Sequence, residues 1–125
     1  MPYQKSLFPS RERLKSRLEI SAVFKKGKKA ACSGAALFYK SNFLDYNRIA
    51  FTFARKFGTA VKRNRARRLS REAYRLLRGG LKTGSDLVLL VYPVEGIRLS
   101  GRLEQLTKLF VSAGLFLNPI RRFEQ

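Results

Sequence analysis

The sequence predicts a small α+β domain, with helices packed on one mixed sheet. Three observations carry that expectation. Residues 49–54 alternate, setting Phe51 and Phe53 on one side and Ala50 and Thr52 on the other. Residues 86–92 form a continuous apolar, β-branched run closed by Pro93, the pattern of a buried strand. Around them lie stretches with helical spacing, in the order helix, two or three strands, helix, strand, helix. A chain of 125 residues fits one domain, residues 1–125. Its 45% hydrophobic content, with ten Phe and five Tyr, supplies a core despite the high charge.

Taken in order, residues 1–12 contain Pro2 and Pro9 and read as an extended basic arm. Ser16 and Glu19 have capping-box spacing, so a helix starts there. Leu18, Ala22, Val23 and Phe24 give it an apolar side, and Gly27 ends it. Alanines followed by Leu37, Phe38 and Tyr39 suggest a strand, and Asp45, Tyr46 and Asn47 a turn. After the alternating strand, Arg55, Lys56, Phe57 and Gly58 form a basic loop. Residues 60–78 meet no helix breaker until Gly79 and Gly80. Leu99, Leu103, Leu106, Phe110 and Ala113 recur at helical spacing, with Ser100 as a candidate cap.

Charge narrows the function. Twenty-seven Lys and Arg against eight Asp and Glu leave +19, and self-repulsion of that size contributes nothing to folding. A polyanionic partner explains it, nucleic acid before an anionic membrane surface. The longest apolar stretch, residues 87–94, is too short to span a bilayer. Residues 1–14 carry charges throughout without an apolar signal core. Cys32, alone and among small residues, reads as a reduced thiol. The cytoplasm is the expected compartment, with no membrane partner.

The segment from Lys62 to Arg75 is the most informative. At about 100° per residue, Ala66, Leu69, Ala73 and Leu77 gather on one side of a helix. Asn64, Arg67, Arg68, Arg71, Arg75 and Arg78 gather on the other, toward solvent. An ordinary solvated face mixes signs to gain i,i+4 pairs; this one has only Glu72. Arginines at i,i+4, such as Arg63, Arg67 and Arg71, repel one another unless phosphates neutralise them, and guanidinium suits bidentate phosphate contact. Asn64 fits either a helix cap or an RNA contact.

The run Gly58-Thr59-Ala60-Val61-Lys62-Arg63-Asn64-Arg65, followed by Arg67-Arg68-Leu69 and Arg71-Glu72-Ala73, resembles the RNR motif of the bacterial ribonuclease P protein family. The order of Arg13-Leu14, Val23-Phe24, Gly27, the aromatic strand and the late apolar strand agrees along nearly the whole chain. The resemblance implies a fold like the second domain of ribosomal protein S5, in which a left-handed βαβ crossover displays the motif helix. It implies a protein subunit that assists a catalytic RNA, one to one, in removing the 5′ leader from precursor tRNA. Arg63, Asn64, Arg65, Arg67, Arg68 and Arg71, flanked by Lys62 and Arg75, would contact that RNA. The leader would lie in a cleft between the first helix and the sheet, at Ile20, Phe24 and Phe38, with Arg55 and Lys56 on a basic rim. Some relatives carry an aromatic residue at the position of Ile20. For Phe24 and Phe38, core packing is the competing reading; an aromatic face beside a basic rim suits sequence-tolerant single-strand binding.

Phosphodiester cleavage needs a base, an acid or metal ions. The chain has no histidine, and its eight carboxylates are scattered, none at metal-ligand spacing on one element. No catalytic residue and no protein metal site are expected; the resemblance implies Mg²⁺ held mainly by the RNA. A structural ribosomal protein or RNA chaperone would share the charge without needing cleft aromatics. A DNA reader would need more Asn or Gln than this helix face offers.

Overall fold

The computed structural model describes residues 9–117. Ser16 caps the first helix, α1 (Arg17–Lys26), its hydroxyl accepting from Glu19 N at 3.2 Å; Gly27 closes it. Three strands follow before the second helix, the larger of the two numbers expected. β1 (Lys28–Cys32) turns through Ser33 and Gly34, the latter at φ +89°, into β2 (Ala35–Ser41), and the two pair antiparallel. β3 (Arg48–Phe53) leads through the basic loop into α2 (Ala60–Leu77). β4 (Ser85–Val91) and α3 (Leu99–Ala113) complete the fold.

The sheet order is β1-β2-β4-β3. β4 pairs antiparallel with β2 and parallel with β3, so β3, α2 and β4 form a βαβ unit between adjacent parallel strands. This is the expected mixed sheet with three helices, and it has four strands.

Side-chain alternation divides the sheet's contacts. Leu37, Ile49, Leu87, Leu89 and Val91 meet Ala73 and Tyr74 of α2 and Leu106, Leu109 and Phe110 of α3 in the main core. Each of the large apolar side chains there contributes about 1.5–3 kcal/mol by leaving water. On the opposite face a smaller cluster joins Val23 of α1 to Leu14, Ala50 and Val88, with Ile20 and Phe38 against it. The helices therefore cover both faces, and α1 covers only part of its own.

A polar network fixes that end of the sheet. Arg48 donates to both oxygens of Asp86 at 2.8 Å and reaches Glu19 of α1 at 3.3 Å. Asn47 donates to Lys82 O and accepts from Ser85 N, each at 2.8 Å, tying the turn before β3 to the start of β4.

Two expectations change. Residues 1–8 of the expected arm lie outside the described residues, but Ser10–Glu12 is a 3₁₀ turn rather than extended chain. It is docked: Glu12 is buried and accepts both Arg78 Nη2, at 2.6 Å, and Nε, at 3.0 Å. Ser100 is not the cap of α3; Arg98 holds that position with no side-chain hydrogen bond. Ser100 lies two residues past that cap position, inside the first turn and too late to meet the free amides.

Candidate nucleic-acid interface

α2 is an 18-residue helix capped by Thr59, whose hydroxyl accepts from Lys62 N at 3.2 Å. That excludes the cap role for Asn64, which lies exposed and accepts from Arg67 Nη1 at 2.9 Å. Ala66 and Ala73 are buried as expected, but Ser70 and Tyr74 join them. The buried stripe is therefore rotated from the one the aliphatic residues define: Tyr74 is buried, whereas Leu69 and Leu77 are half-buried. The rotation has a consequence for the arginines. They do not form one solvent-facing row; Arg67, Arg71, Arg75 and Arg78 are half-buried.

The basic residues fall into three groups, with Arg63 apart. Arg67 lies over the Phe53 ring at 5.0 Å, Arg71 stands near Arg13 and Arg67, and Arg78 forks onto Glu12. These follow the outer strand β3 and the chain segment before α1, where Arg13 makes a bridge beside Ile49. Asn64 and Arg68 are exposed on the crest; Arg75 there pairs with Glu72, whose carboxyl it holds below its usual range. Lys62 and Arg65 turn toward the loop between β4 and α3. Arg63 is exposed and donates to Gly58 O at 2.7 Å.

Arg71 is the most telling. Its Nε is buried without a hydrogen-bond partner. Burial, then the charges of Arg13 and Arg67, depress its pKa. A guanidinium whose Nε is buried beside two other cations is held at a cost that an anion would reduce. Phosphate is the anion whose geometry fits the fork.

The second surface is the sheet face that α1 leaves partly open. Phe24 and Phe38 meet edge to face with centroids 4.7 Å apart, and Lys29 lies 5.5 Å above the Phe38 ring. Phe24 is 36% exposed and Phe38 is half-buried, so the pair forms the lip between helix and sheet. Ile20, half-buried, packs beneath against the smaller cluster. Register places Ala31, Ala36, Leu90 and Thr52 on this same face beyond α1. Arg55 and Lys56 follow β3 at that end, both exposed, Lys56 at φ +61°. This part of the sheet face thus has an aromatic pair at its edge, Leu90 among smaller side chains along it, and Arg55 and Lys56 following β3.

Sequence reasoning missed Lys29, since its place opposite Phe38 depends on the β1–β2 pairing. It also missed Arg102, although this arginine interrupts the apolar stripe of α3 and so carried a signal. Among the described residues no helix is long and apolar enough to cross a membrane.

Comparison with known proteins agrees with the fold. Residues 8–114 match the family model described as Ribonuclease P. The ribonuclease P protein component of Thermotoga petrophila is 36% identical over 117 residues, 94% of this chain and 96% of that one. That of Borrelia duttonii is 46% identical over 81 residues, 64% of this chain and 71% of its own. Among solved structures, the RNase P protein from Thermotoga maritima superposes with a TM-score of 0.70 at 29% identity, over 92% of this chain and all of that one. A Staphylococcus aureus RNase P protein mutant reaches a TM-score of 0.80 over 93% of this chain and 99% of its own; at 21% identity it speaks for the fold alone.

Proposed function

The chain belongs to the ribonuclease P protein family and is a subunit of that ribonucleoprotein endoribonuclease, and from this premise we propose how its surface is divided between two RNAs. The arginine face of α2 docks the catalytic RNA. Arg63, Asn64, Arg65, Arg67, Arg68 and Arg71 make the contacts, with Lys62 and Arg75 flanking. The groove between α1 and the sheet takes the single-stranded 5′ leader of precursor tRNA. Bases stack at Phe24 and Phe38 above Ile20, and the backbone runs toward Arg55 and Lys56. The two surfaces meet along β3, so one protein spans enzyme RNA and substrate. Mg²⁺ belongs to the RNA, which supplies the chemistry; the protein supplies cations that let two polyanions approach.

The observation that carries the docking face is the buried, unpartnered Nε of Arg71 beside Arg13 and Arg67. Isolated stability gains nothing from that arrangement, whereas a phosphate at that point satisfies it. The test is simultaneous reversal of Arg67, Arg68 and Arg71 to Glu. Affinity for the catalytic RNA is expected to fall on the order of 10²-fold or more, with the circular dichroism of a folded domain retained. Unchanged affinity in a folded variant removes α2 from the interface.

A further inference from the structure

Between the first turns of α2 and the loop joining β4 to α3 lies a pocket of about 400 Å³, a volume that accepts a small organic ligand. Three cations line it, Lys62, Arg65 and Arg102, against one carboxylate, Glu95. Phe57, Val94 and Ile97 contribute apolar wall.

Arg102 distinguishes this place from an ordinary basic surface. It is 1% exposed. Its Nη1 donates to Gln105 Oε1 at 2.8 Å, while its Nε is buried with no hydrogen-bond partner. Among the described residues no carboxylate pairs with it. Burial pushes its pKa down. A desolvated cation without a counter-ion is costly, and its position on the wall of a basic pocket points to an anion that completes the site. Neither α2 nor α3 has an acidic residue in its first turn, so the amide dipoles there add to the attraction. A bare inorganic anion would leave the Phe57, Val94 and Ile97 wall unused; a base attached to the phosphate would cover it.

We propose that this pocket binds a single nucleotide, its phosphate on Arg102, Arg65 and Lys62 and its base against Phe57 and Ile97. Such a ligand is either a free mononucleotide or one unpaired nucleotide of an RNA. The assignment turns on Arg102 and the β4–α3 loop and is read on the protein without RNA; only Lys62 and Arg65 are shared with the docking face.

The full chain is photolabelled with 8-azidoadenosine 5′-monophosphate and the modified peptides are mapped by mass spectrometry. Label is expected within residues 57–69 or 93–97. Adenosine monophosphate should suppress it at concentrations at least about tenfold below those required of adenosine or inorganic phosphate. Arg102→Met should lower labelling by about tenfold or more. Because replacing a buried residue can unfold the domain, Val94→Trp provides the second arm. Val94 is 40% exposed, and the indole fills the pocket while every charge stays. Labelling that survives in folded Val94→Trp overturns the proposal, as does competition by inorganic phosphate equal to that of the nucleotide. The same labelling on the complex with the catalytic RNA separates the sources. Protection there identifies an RNA nucleotide as the natural occupant, and persistence identifies a free one. Since Val94→Trp leaves Arg67, Arg68 and Arg71 intact, failure here does not carry over to the docking face.

Discussion

Phe24 is exposed on one side and held edge-on by Phe38 on the other, and both facts bear on its replacement. Phe24→Ala is expected to cost about 1–2 kcal/mol of stability, below the roughly 3–5 kcal/mol of a fully buried phenylalanine. Affinity for leader-bearing precursor tRNA should fall by about 1–3 kcal/mol, while affinity for mature tRNA stays nearly unchanged. Parallel melting and binding titrations check this; equal losses for both RNAs would make Phe24 a packing residue only. Spacing alone left the role open, because helical periodicity assigns a face but not how far the neighbouring sheet extends over it. Asn64 was ambiguous for a related reason: the cap depends on where the helix begins, and Thr59 begins it five residues earlier. Glu12 was not legible at all, since its partner Arg78 lies 66 positions away. Glu12→Ala leaves that guanidinium half-buried and unpaired. It should lower stability by about 1–3 kcal/mol, more than Glu12→Ala costs when Arg78 is already alanine. A double-mutant cycle by chemical denaturation measures the difference, and additive costs would show the pair to be uncoupled.

Helix ends were readable where the signal was local. Ser16 with Glu19 and Gly27 bracket α1 as their spacing requires, because a cap is satisfied by amides within one turn. Of the β1–β2 hairpin only β2 was readable, from Leu37, Phe38 and Tyr39. The alanines and lysines of β1 carry little alternation, so that strand left no pattern of its own. The rotation of α2 was missed because Ser70 and Tyr74 count as polar until the core that accepts them is known. Gly27 also shows what an element junction demands. A Cβ there would stand 2.5 Å from Val23 O and 2.7 Å from Tyr39 O, both backbone atoms. Gly27→Ala must push α1 away from β2, an overpacking cost of about 1–3 kcal/mol and roughly 5–10 °C in Tm. Gly79→Ala is the control, with no atom within 4 Å of its added methyl, and should leave Tm nearly unchanged. A melting scan of both variants decides it, since equal shifts would reduce the effect to backbone entropy.

At the level of the molecule, a net charge of +19 makes every interaction with RNA dependent on salt. If the protein's share of the reaction is charge neutralisation, its benefit to cleavage by the catalytic RNA should be greatest at low Mg²⁺ and fade as Mg²⁺ rises. Affinity should drop steeply with monovalent salt, on the order of 10³-fold or more from 50 to 200 mM for six or more phosphate contacts. Single-turnover cleavage across both ions measures this, and an enhancement independent of Mg²⁺ would assign the protein a different task. The sheet order carries a further consequence, for synthesis. Among the described residues β4 is the last strand translated, yet it lies between β2 and β3. Until residue 91 has left the ribosome, β3 has no neighbouring strand and α2 has no finished sheet to rest on. The nascent chain thus holds its arginine-rich segment before the site that anchors it exists, and the domain closes late, around its own centre.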